Sequence, residues 1–212
     1  MPVRKNPYEL FWDRFAKLYS PMQEQKNIGL YDGVGAFINN CLNNEMFVLE
    51  LACGTGQITK RCCDQVMRWT ATDFSDKMIE CAKKECKTEN VTFETADAHN
   101  LRYTDENFDA IVIANALHIM PEPEKALSEI GRVLKKEGIL IAPTFVYDST
   151  ANVKRNIKLM LMKSMGFKTF SKWTSLQYRE FVEQNGFRVT QEKLFGNDFL
   201  PECILVCKRG GE

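Results

Sequence analysis

The 212-residue chain is poor in the features that mark several functional classes. It has only two histidines, His99 and His118, and none of its eight cysteines forms a Cys-x-x-Cys pair. Zinc-ligand spacing is therefore absent, and no metal site is expected. Charge of one sign is also lacking, since 28 basic residues balance 28 acidic ones. That argues against a chain built to coat nucleic acid. No apolar run reaches membrane-span length. The longest, around Ile111–Leu117 and Ile139–Val146, are strand-sized, so no integral membrane segment is expected. The first residues hold no apolar stretch of signal-peptide type, and repeats and low-complexity linkers are missing. A cytoplasmic protein with reduced, mostly buried thiols is the expectation.

Alternating strand-like and helix-like patterns fill the middle of the chain. Phe47–Leu51 is a short apolar run that ends in Gly54 and Gly56, and Ile58, Cys62 and Val66 follow at helical spacing. Trp69–Asp73 reads as the next strand. Ser75 can cap a helix carrying Met78, Ile79, Ala82 and Cys86 on one face. Val91–Thr95 and Phe108–Ala114 read as the third and fourth strands. Pro121 and Pro123 open a helix with Leu127, Ile130 and Leu134 inward, Gly138 follows its end, and Ile139–Phe145 is the fifth strand. This order predicts an α/β fold, a parallel sheet with helices on both faces. Near the end, Thr174 to Gln177 reads as a capping box and Asn185-Gly186 as a helix stop. Phe187–Leu194 and Cys203–Lys208 are too close for a crossover helix and should pair antiparallel at one sheet edge. Residues 7–42 look helical, with Leu10, Phe11, Phe15, Leu18 and Tyr19 on a stripe that reads as core packing ahead of a functional cover.

The run Glu50-Leu51-Ala52-Cys53-Gly54-Thr55-Gly56 leaves a strand and enters a helix, where open α/β sheets bind ligands. A dinucleotide fingerprint needs a third glycine, but Thr59 stands three residues beyond Gly56. Glu50 would also repel a pyrophosphate. A nucleoside with a cationic or zwitterionic tail fits better. Asp73 ends the second strand, where its carboxylate can accept from both hydroxyls of a ribose or serve as a helix cap. Asp97-Ala98, after the third strand, could meet an adenine amino group.

Together these motifs resemble the class I S-adenosylmethionine-dependent methyltransferases, particularly the small-molecule branch that includes the ubiquinone/menaquinone-biosynthesis C-methyltransferases. Val48–Gly56 looks like their first motif, Ala71–Met78 the second, Thr95–Ala98 the adenine-contacting one, and Phe108–Val112 with Asn115–His118 the fourth. The likeness is close over residues 46–145. Ala52 departs from it, standing where the family often has its first glycine. The resemblance implies a Rossmann-like, doubly wound, seven-stranded, mostly parallel sheet whose last strand is antiparallel, under an N-terminal helical cover. It implies one domain: cover 1–44, cofactor-binding core 45–145, lid-like insertion 146–173, and C-terminal helix and hairpin 174–212. S-adenosyl-L-methionine is the implied cofactor and S-adenosyl-L-homocysteine its product. Tyr19, Glu50, Ala52, Cys53, Gly54, Thr55, Gly56, Asp73, Phe74, Met78, Asp97, Ala98, Asn115 and Leu117 are the implied cofactor contacts.

Methyl transfer from a sulfonium needs mainly positioning. His118 is the candidate base, weighed against a packing role at the pocket wall; His99 is read as an exposed loop residue. The motifs of nucleic-acid methylating enzymes are missing, so a small molecule is the expected acceptor and no nucleic acid the expected partner. Residues 150–179 carry Lys154, Arg155, Lys158, Lys163, Lys168, Lys172 and Arg179 and no acid. With Met160, Met162 and Met165 among them, they suggest a lid that attracts an anionic or amphiphilic acceptor, or else a packed helix with a solvated basic face. Peripheral contact with anionic lipid stays open. Phe145, Met160, Trp173 and His118 are the candidate substrate contacts. Two other functions remain: a cofactor-binding protein without catalysis, and an NAD-dependent oxidoreductase.

Overall fold

The computed structural model describes residues 7–147, 168–196 and 201–211, with the side chains of 7 and 17–27 left aside. The elements in chain order are helix α1 (Pro7–Asn39), β1 (Phe47–Leu51), α2 (Thr59–Cys62), β2 (Arg68–Asp73), α3 (Asp76–Glu85), β3 (Val91–Thr95), β4 (Phe108–Ile113), α4 (Pro123–Val133), β5 (Leu134–Phe145), α5 (Ser175–Gln184), β6 (Phe187–Phe195) and β7 (Glu202–Arg209). The seven strands form one sheet in the order β3-β2-β1-β4-β5-β7-β6. Pairs from β3 to β5 are parallel, and β7 runs antiparallel to both β5 and β6. Strand order reverses between β1 and β4, which opens a crevice beyond their carboxyl ends.

The sequence dictates most of these elements locally. Strands β1 and β4 lie at the centre and are buried along nearly their whole length, hence their continuous apolar runs. Ser75 Oγ accepts from Met78 N at 3.2 Å and starts α3. The Thr174/Gln177 capping box forms, and Gly186 ends α5 at φ 88°. One apolar cluster packs α4 and α5 on one sheet face, around Leu127, Ile130 and Tyr178. A second packs the later half of α1 and the turn of α2 on the other, around Val34, Ile38 and Trp69. Burying such side chains contributes roughly 1.5–3 kcal/mol each.

Three expectations change. The helix expected through Val66 is one α-turn followed by a 3-10 turn, Cys63–Gln65. Ile58, Cys62 and Val66 are all buried as their spacing implies, but Val66 is already extended because the chain must enter β2. Strand β5 starts at Leu134 directly after α4, so Gly138 lies inside a strand rather than after a helix. A Cβ there would stand 3.0 Å from the Asp109 backbone oxygen, so glycine serves a close approach. Finally, the α1 stripe is met only in part: Phe11 and Phe15 pack partly buried, and the side chains of Leu18 and Tyr19 lie outside those described. Trp12 and Ala16 are buried while Leu10 is 41% exposed. Of the insertion expected at 146–173, residues 148–167 lie outside the described residues.

Candidate active site

A cavity of about 1430 Å³ opens at the carboxyl ends of β1, β2 and β4 and is roofed by the first turns of α1. Its size exceeds the roughly 300–1,000 Å³ of a pocket for one drug-sized ligand.

The floor is a tight loop after β1. Ala52, Gly54 and Gly56 all have left-handed backbones, with φ of 53°, 55° and 80°. Glycine adopts this freely, whereas Ala52 does so at a cost of about 1–2 kcal/mol. At Gly56 a Cβ would already touch the Ala82 Cβ at 3.4 Å, so the loop lies tight against α3.

Asp73 locks that loop to the next strand. Gly54 N donates to its Oδ2 and Ser75 N to its Oδ1, each at 2.9 Å. Burial pushes the Asp73 carboxyl up to about 6, those two bonds pull it down, and the Asp13 carboxylate raises it again. Each oxygen keeps capacity for a further donor, and Asp73 lies on the cavity wall. Asp73 thus serves the start of α3 and faces the cavity at once, so the cap and ribose-contact readings are compatible.

Of the other residues singled out from sequence, Ala52, Gly54, Phe74, Met78, Asp97, Ala98 and Asn115 also line the cavity. Glu50, Cys53, Thr55, Gly56 and Leu117 are buried and off its lining. Glu50 Oε2 accepts from Thr59 Oγ1 at 2.5 Å and Trp69 Nε1 at 2.8 Å, bracing α2 against β2. Burial pushes Glu50 up to about 7. The helix backbone includes Tyr19, but its side chain lies outside those described.

The two histidines exchange the places expected for them. His118 is buried and off the cavity lining, with Nδ1 2.9 Å from Thr144 Oγ1. Burial holds its pKa down at about 4, so the ring is neutral near pH 7. His99, expected in an exposed loop, is half-buried on the cavity wall. Its Nδ1 lies 2.7 Å from Asp97 Oδ1, and this hydrogen bond raises the His99 pKa and lowers that of Asp97. Phe145 packs its ring edge-to-face with His118, and Trp173 stacks on Phe181 and Tyr178; all three belong to packing away from the cavity. Met160 lies outside the described residues.

Within the expected N-terminal cover the sequence points to Tyr19 alone as a cofactor contact, and the aromatic residues that form the roof are not named as contacts. Tyr8, Phe11, Trp12 and Phe15 of α1 line the cavity, with Phe170 from beyond β5. Tyr8 stacks on Phe74 at 6.1 Å, meets Phe170 edge-to-face at 5.9 Å, and donates its hydroxyl to the Ile119 backbone oxygen. Ser75 Oγ donates to Asp13 at 2.6 Å and ties α1 to the start of α3. The available signal was density: four aromatic residues within Tyr8–Phe15.

Comparison with known proteins agrees with this geometry. Residues 49–142 match the methyltransferase-domain family. A demethylmenaquinone methyltransferase of Lactobacillus johnsonii is 32% identical over 63% of this chain, which spans only 58% of that protein's length. One from Thermotoga maritima is 29% identical over 70% of this chain and 72% of its own length. Among solved structures, a protein in complex with the Haloferax volcanii Trm112 methyltransferase activator superposes with TM-score 0.74 over 99% of this chain and 100% of its own, at 16% identity. The trans-methyltransferase CalH, solved with S-adenosylhomocysteine, superposes with TM-score 0.68 over 85% of this chain and 58% of its own, at 17% identity. Motif order, strand order and these likenesses converge: residues 49–142 match a methyltransferase domain, lie on a Rossmann-like sheet and are similar in sequence to the demethylmenaquinone methyltransferases.

Proposed function

We propose that this chain transfers a methyl group from S-adenosylmethionine to a small amphiphilic acceptor. The observation that carries the reading is Asp73: a carboxylate fixed by two backbone donors, with lone pairs left over, on the wall of a cavity at the sheet's reversal point. A ribose diol is the partner such a carboxylate suits. When bound, the cofactor supplies an activated methyl on a sulfonium sulfur. Ala52 and Gly54 bring backbone close to it, and Asp97 stands where the resemblance puts the adenine contact.

The protein's share of the reaction is geometry and dryness. Bound S-adenosylmethionine would supply an electrophilic methyl whose carbon–sulfur bond breaks as the acceptor's bond forms, the electron pair staying on sulfur and any proton displaced from the acceptor passing to solvent. The residues of the wall hold the two reactants in line and exclude water. The cavity's size supports a cofactor and an acceptor side by side. Its aromatic roof supports an apolar ring on the acceptor. Arg14, Arg102 and Lys168 on the wall are outnumbered by Glu9, Asp73, Glu94, Asp97 and Glu122, so the lining itself gives no preference for an anion. The names of the relatives make a reduced quinone the first acceptor to try.

Calorimetric titration with S-adenosylhomocysteine tests the reading, with NAD as control. Binding is expected with S-adenosylhomocysteine and not with NAD. Asp73→Ala should weaken it by about tenfold or more, the worth of a charge-assisted hydrogen bond. Preference for NAD, or binding indifferent to Asp73→Ala, rejects the cofactor assignment. Binding with no methyl transfer to any of a panel of reduced quinones, catechols and amines favours a cofactor-binding protein without catalysis.

A further inference from the structure

The buried carboxyl of Glu202 has no part in the account above, yet it stands behind the cavity wall. Strand β7 is antiparallel to the parallel strands, so its first residue lies at their carboxyl end, the end that opens into the cavity. Glu202 pairs there with Phe145 of β5 and Phe195 of β6 and is fully buried. Its Oε1 accepts from Asn115 Nδ2 at 2.9 Å, while its Oε2 is buried without a hydrogen-bond partner. No cation pairs with it among the described residues. A buried acid with so little compensation costs stability, and an apolar residue would cost less.

Asn115 faces it from the end of β4, and it too is unusual. Its backbone is left-handed at φ 55°, held by its N donating to the Pro143 oxygen at 2.8 Å. Asn115 lines the cavity, and its Oδ1 is buried and lacks a partner. The Asn115 NH₂ faces Glu202, because Nδ2 donates to Oε1; burial pushes the Glu202 carboxyl up to about 7, and in either protonation state Oε1 can accept. The carbonyl oxygen is then the atom left for a ligand.

We propose that Glu202 is a positioning residue for the methyl-transfer site: it fixes the Asn115 amide so that Oδ1 is presented to the cavity as an acceptor for an N–H or O–H donor on the bound reactants. This rests on the methyltransferase reading. Two sources carry such a donor, the α-ammonium of the cofactor and an amino or hydroxyl group of the acceptor. Either satisfies an oxygen that otherwise remains buried and unpaired.

The test is a double-mutant cycle on the full chain. Asn115→Gly keeps the left-handed backbone and removes the amide; Glu202→Leu removes the partner; Glu202→Gln keeps an oxygen that can accept from Nδ2. The probes are S-adenosylhomocysteine, its deaminated analogue, and 1,4-naphthohydroquinone added anaerobically to protein saturated with S-adenosylhomocysteine. A thermal melt of each variant establishes folding. Asn115→Gly and Glu202→Leu should each weaken one probe by about tenfold, and the double variant no further, because the residues act as a unit. Glu202→Gln should stay within about threefold of the parent.

If S-adenosylhomocysteine weakens and its deaminated analogue does not, the donor is the cofactor's ammonium. If only the naphthohydroquinone weakens, the donor is on the acceptor. Additive losses, a Glu202→Leu variant that binds like the parent, or variants that leave every affinity unchanged overturn the proposal while the methyltransferase reading stands. A parent chain that binds no S-adenosylhomocysteine overturns both.

Discussion

Glu50 shows how one buried side chain couples the site to the solvent. Its carboxyl is out of water, with Thr59 and Trp69 as donors, and burial outweighs them in raising its pKa to about 7 from an ordinary 4.5. An acid whose pKa rises on folding takes up protons as the chain folds. Stability therefore holds below pH 4.5 and declines as the pH climbs from there through 7. Glu50→Gln removes the titration and keeps an oxygen for both donors. Relative to the variant, the parent should match it near pH 4.5 and fall behind by up to about 3 kcal/mol above pH 7. Urea unfolding of both proteins across that range checks this. A constant difference would mean that Glu50 does not ionise within it. The sequence placed Glu50 beside the glycine loop, which is where it is, but not the direction of its side chain. Thr59 and Trp69 reach it only once α2 and β2 have packed, so no local pattern carries that information.

Elements were legible where one face has one partner, and obscure where the partner changes. Strands β1 and β4 are buried on both sides and read directly as apolar runs. Helix α1 is not uniform along its length. Its first turns pack Trp12 and Ala16 against Met78 of α3, and its later turns pack Val34 and Ile38 against the sheet. A single stripe drawn from Leu10 to Tyr19 cannot follow both. Gly138 is the converse case, a residue with a plausible local meaning and a different tertiary one. Its missing Cβ leaves room for the Asp109 backbone oxygen and for Leu134 Cδ1, which would stand at 3.0 and 2.6 Å from an added methyl. Leu134 can turn aside, but the backbone between β4 and β5 must shift. Gly138→Ala should lower stability by about 1–3 kcal/mol. A glycine that ended a helix would also lose stability on replacement, but through its left-handed backbone, so amide exchange that loosens in β4 and β5 rather than at the end of α4 separates the two.

At the scale of the molecule, alternating strands and helices made the parallel sheet legible, and the short spacing of the last two strands made the hairpin legible. The insertion of β7 between β5 and β6 is a property of the sheet as a whole. It brings Glu202 to Asn115 across 87 positions of sequence. The same holds for the cavity, whose floor was readable as motifs, whereas of the roof only the presence of a helical cover was readable and not the residues, Tyr8 to Phe15 and Phe170, that line it. The floor and roof come from Ala52 to Asn115 on one side and Tyr8 to Phe15 on the other, with Tyr8 stacked on Phe74 joining them. A ligand held between them stabilises the folded state by mass action. At a hundred times its dissociation constant this is about 2.7 kcal/mol. For a chain of this size each kcal/mol raises the melting temperature by roughly 2–4 °C. S-adenosylhomocysteine at that concentration should therefore raise the melting temperature by about 5–10 °C, whereas NAD at equal concentration should leave it in place. Tyr8→Ala cuts the link between roof and floor, and should reduce the shift by weakening affinity while the melt without ligand moves less. A shift that persists undiminished in Tyr8→Ala would show that the floor alone holds the ligand and that α1 covers the site without gripping what is in it.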